Sequence, residues 1–65
     1  MHRISIETED GQDLISYEAD IAPSEGGTLY VRRFSGELEK YRVTGVAHHI
    51  QGGLLTGISL IVESA

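Results

Sequence analysis

The chain contains no cysteine, so neither a disulfide framework nor a thiolate metal site can support its fold. It has one proline, no run near the roughly 20 apolar residues a membrane helix needs, and no helical spacing longer than a turn. The opening residues, MHRISIETEDG, lack the basic stretch and apolar run of a signal peptide. Positive charge is also scarce. Five Lys and Arg against ten Asp and Glu give a net charge of -5, which makes nucleic acid an unfavoured partner because phosphate neutralisation drives that binding. These absences predict a cytoplasmic protein with no membrane partner.

What remains is a chain of 65 residues, predicted to form a single domain over residues 1–65. A chain this short buries only about 60% of its unfolded surface, so association between copies would usefully supplement a thin core. The charge is unevenly spread. Residues 1–26 carry seven acids against Arg3, a net of -6, whereas residues 27–65 carry four bases against three acids, a net of +1. Oppositely charged regions of this kind pair between copies, select a charged partner, or serve only as solvated faces.

Alternation of apolar and polar residues organises the chain into short strands. Ile4 and Ile6 share a face in His2 to Thr8, and Ile15, Tyr17, Ala19 and Ile21 share one in Asp13 to Ile21, with a turn at Glu9-Asp10-Gly11-Gln12 between them. Pro23 to Gly27 ends the second strand. Thr28 to Phe34 and Leu38 to Val43 form a hairpin with Leu29, Val31, Tyr41 and Val43 inward and Tyr30, Arg32, Phe34, Lys40 and Arg42 outward. The alternation then slips by one place, because Val46, His48 and Ile50 are even-numbered. A bulge or bend near Gly45 restores one continuous apolar face. Gly57 to Glu63 closes the set with Ile58, Leu60 and Val62 in phase, while Leu55 and Ile61 fall outside the inward face and are expected at an interface.

The fold class expected is all-β: a small five-stranded SH3-like barrel, closed or nearly so, with strand four bent near Gly45. An OB-fold is second, since it usually needs a longer chain and often a helix. The layout P-x-x-G at Pro23 and Gly26, LYV at Leu29 to Val31, and Y-x-V-x-x-V-x-H from Tyr41 to His48 resembles uncharacterised small SH3-like barrel proteins of bacterial, phage or plasmid origin. The resemblance spans residues 13–63. Families of that kind are largely without assigned function, so the resemblance implies a fold more than an activity; an origin in a phage, plasmid or bacterial accessory protein is expected.

The adjacent His48 and His49 invite a metal reading, but neighbouring strand residues project to opposite faces, and a zinc site normally gathers three or four ligands. No metal, no cofactor and no catalytic residue is therefore predicted. His48 is expected inward as a stabilising rim residue, and His49 outward in association. The serines show no nucleophile elbow, the carboxylates have nothing to separate their pKa values, and the glycine loops lack a phosphate-loop lysine and helix. The predicted binding residues are Tyr30, Arg32, Arg33, Phe34, Arg42 and His49, since aromatic rings beside guanidinium groups suit a contact surface. The function expected is non-enzymatic: an interaction module binding a protein partner or forming a homo-oligomer. An oligomer that sequesters a small anionic ligand, such as a nucleotide signal, ranks second, and single-stranded nucleic-acid binding third.

Overall fold

A computed structural model describes residues 1–65. It is all-β, with strands β1 (His2–Thr8), β2 (Asp13–Ala19), β3 (Thr28–Arg32), β4 (Leu38–Gln51) and β5 (Leu54–Ser64). They form one curled sheet in the order β2-β1-β5-β4-β3, a half-barrel consistent with a small SH3-like barrel. The β1–β5 pair is parallel, with Ile4 opposite Ile58 and Ile6 opposite Leu60, and the other three pairs are antiparallel.

Period-two alternation places one apolar set on the concave face of the curl. Ile4, Ile6, Tyr41, Val43, Ile58, Leu60 and Val62 are buried there, and Tyr17, Ala19, Leu29, Val31 and Val46 pack around them. The curl stops short of closure, and the edge strands β2 and β3 do not touch. Their connection crosses the gap instead. Ala22 packs on the core, the Gly26 amide donates to the Val43 carbonyl at 2.8 Å, and the Val43 amide donates to Gly27 at 2.9 Å. Both edge strands end earlier than their alternation suggests. Ile21 lies past Ala19, which pairs with His2 at the start of β1, and Phe34 lies in the β3–β4 turn, so both side chains are exposed.

The expected slip in β4 is present. Val43 pairs with Val62 and Gly45 with Ile61, so Thr44 is the extra residue, and its hydroxyl donates to the Ile61 carbonyl at 3.2 Å. As a result Val46 and His48 return to the concave side, with His48 opposite Ile58. Strand four nevertheless continues through the bulge to Gln51, and β5 starts at Leu54, earlier than its alternation indicates. Gly52 and Gly53 join them with φ of 60° and 79°. That pair of positive values is what a two-residue type I′ hairpin turn requires, and glycine adopts it without a Cβ clash.

The long hairpin outruns its neighbours. β1 meets β5 only from Ile58 onward, and β3 meets β4 only as far as Arg42. Residues His49 to Gly57 therefore form a two-stranded arm, and the molecule measures 39 × 21 × 19 Å. Its radius of gyration of 12.0 Å exceeds the roughly 11 Å of a compact domain of this length.

Truncating Leu60, which is wholly buried, to alanine should lower unfolding free energy in urea by about 2–5 kcal/mol. Phe34→Ala should change it by less than about 0.5 kcal/mol.

Candidate functional site

Two surfaces stand out, one at each end of β4. The first is the outer face of the β3–β4 hairpin, where Thr28 pairs with Arg42, Tyr30 with Lys40 and Arg32 with Leu38. The pairing brings Tyr30, Arg32, Lys40 and Arg42 to one face, as the alternation predicts. Lys40 Nζ lies 6.0 Å from the Tyr30 ring centroid, at the outer limit of a cation–π contact.

Most of this positive charge is already engaged within the chain. Arg42 forms an ion pair with Glu63, and Arg32 donates to the Gly36 carbonyl at 3.1 Å. Arg33 does not join the face. It shares the inward parity of Leu29 and Val31 and pairs with Glu39, which also accepts the Tyr41 hydroxyl at 3.0 Å. The Arg33 hydrogen bond, followed by that of Tyr41, holds the Glu39 carboxyl below its ordinary range, while Glu39 in turn holds Arg33 charged more firmly. Phe34 stands fully in solvent at the turn.

The second surface is the arm. Ile50 is 68% exposed and Leu54 72%, and Leu55, opposite Ile50, is partly exposed. At its base an open hollow of about 460 Å³ is lined by residues that include Asp20, Ile21, Pro23, Val46, His48 and Ile58. Sequence reasoning named Leu55 as a possible interface residue but missed Ile50 and Leu54. The signal was available: no Asp, Glu, Lys or Arg occurs between Arg42 and Glu63.

The two histidines face opposite ways, as expected. His48 is on the concave side but exposed at the hollow's rim, because the body of the sheet ends beside it. His49 is on the outer face, about seven residues along β4 from Arg42 and apart from the basic hairpin. Its Nε2 shares a 2.6 Å hydrogen bond with the hydroxyl of Ser59, a buried residue. Ser59 lies in the central strand under that ring, and neither surface hollow is lined by it.

No known protein family, curated protein or solved structure matches this chain.

The Glu39 shift carries a pH consequence. A carboxyl with a lowered folded-state pKa adds stability that is present above its unfolded value, near the ordinary 4.5, and lost as pH falls through the folded value. Glu39→Gln should therefore flatten the acid side of a stability–pH profile below that point and leave its slope near neutrality unchanged. For the histidines, His49→Ala should destabilise by about 1 kcal/mol through the lost Ser59 hydrogen bond. His48→Ala should stay within about 0.5 kcal/mol, both read by urea unfolding.

Proposed function

We propose that this chain is a non-enzymatic interaction module, binding a protein partner or further copies of itself through apolar surface that its own fold leaves in water. The observation that carries this reading is the imbalance between core and surface: seven apolar residues form the core, while nine large apolar side chains lie exposed, with Ile50 and Leu55 paired on one face of the arm and Leu54, opposite Gln51, on the other. Scattered surface apolar groups are ordinary, but a contiguous patch marks an interaction site.

Surface area supports the same reading. A compact monomer of this mass exposes about 4,100 Å², whereas this chain exposes 4614 Å². The arm contributes to that exposure, since its tip has no third strand. A lone two-stranded ribbon is marginal in water. Contact with a partner would supply the cover that the chain does not.

A dye that fluoresces on apolar surfaces tests the reading at dilute protein concentration. The double variant Ile50→Ser, Leu55→Ser should lose most of the wild-type signal while keeping its urea midpoint close to wild type. A signal that the double variant leaves intact would remove the arm as the binding surface.

A further inference from the structure

The β4 edge of the arm is the longest uncharged strand edge in the molecule; the β5 edge of the arm, Leu54 to Gly57, is uncharged too but is shorter and broken by the bulge at Thr56. Past Val43 it has no strand beside it, and it carries Ala47, His48, His49, Ile50 and Gln51 without one Lys, Arg, Asp or Glu. Soluble proteins normally defend such an edge with charge, proline, or a covering element. The β2 edge follows that rule, with Asp13 and Glu18, and the β3 edge follows it with Arg32. The arm edge does not.

We infer that the arm edge of β4 pairs antiparallel with the same edge of a second copy around a two-fold axis, joining two half-barrels through one continuous sheet. The inference rests on the interaction reading above and names its partner. A second copy is favoured over another protein because the edge is self-complementary. Antiparallel pairing centred on His48 sets Val46 of each chain opposite Ile50 of the other, and Ala47 opposite His49. Apolar residues then meet apolar residues on the concave side, and no like charges are opposed. Centring on Ala47 would instead oppose Val46 to His48 and leave Ile50 outside the paired core. The partner's β4 supplies the third strand that the ribbon lacks.

A contact confined to this short edge is small, so a reversible monomer–dimer equilibrium is expected in place of an obligate dimer. Because the edge is uncharged, association should hold steady or strengthen with added salt. Pairing of the acidic first half with the basic hairpin would weaken instead.

The experiment combines sedimentation equilibrium with single-cysteine cross-linking, which the absence of native cysteine makes unambiguous. Val46→Cys, Ala47→Cys, His48→Cys, His49→Cys and Ile50→Cys are oxidised in turn. Residues facing each other on a two-fold in an antiparallel ladder lie within disulfide reach. The expected result is a salt-resistant monomer–dimer equilibrium, a disulfide dimer peaking sharply at His48→Cys, and a shift to monomer in His48→Lys with its unfolding midpoint retained. Three results would overturn the inference. The first is a monomer at every concentration. The second is association that falls as salt rises. The third is cross-linking equally weak at all five positions. If the chain is monomeric but still binds the apolar dye through Ile50 and Leu55, self-pairing fails and the interaction reading stands with a different protein as partner. If the dye signal is also indifferent to those residues, both fail together.

Discussion

The structure hangs on β5 being flanked on both sides. Its inward residues Ile58, Leu60 and Val62 form the middle row of the core, in contact with Ile4 and Ile6 from β1 on one side and Val43 from β4 on the other. A 65-residue chain has too little apolar area for a second layer, so burial must come from curling one sheet around its own central strand. The Thr44 bulge is part of that solution. Without an extra residue there, the register would carry Val46 and His48 to the outer face and expose a valine where Gly45 and Ala47 now lie.

Much of this was legible from alternation alone. Core membership follows from period two in β1, β4 and β5, and the phase error between Val43 and Val46 located the bulge; in β2 alternation failed at Ile15, which is exposed while Leu14, the extra residue opposite the Ile6–Glu7 step, packs on the core. The ends of strands were less legible, because they depend on where the neighbouring strand stops. Ile21 and Phe34 fit the alternation of their own segments yet have no strand beside them, so propensity and pattern had no means of excluding them. The long arm was hidden for the opposite reason. Gln51-Gly52-Gly53-Leu54 reads as a loop by composition, whereas its two glycines make so tight a reversal that pairing continues to the last residue on either side.

The candidate residues divide along similar lines. Facing is local and was inferred correctly for Tyr30, Arg32, Arg42, His48 and His49. Pairing is tertiary. Nothing in the spacing of Arg33 and Glu39, or of Arg42 and Glu63, announced that their charges are satisfied internally, leaving Lys40 and part of Arg32 as the more available cations of the hairpin. The surface that looked richest in chemistry is therefore substantially neutralised, and the surface that looked featureless is the one with unmet requirements. Absence of charge is a weak signal in a sequence because cores and interfaces share it. Only the geometry tells which stretch of that silence is covered.

The parallel β1–β5 pair also has a kinetic consequence. Ile4 and Ile58 are neighbours in the sheet but lie almost a full chain apart in sequence, so the core cannot close until β5 has been synthesised. The β1–β2 and β3–β4 hairpins can form locally beforehand, yet each would hold its apolar face open to water in the meantime. High contact order of this kind slows folding and prolongs exposure of sticky intermediates.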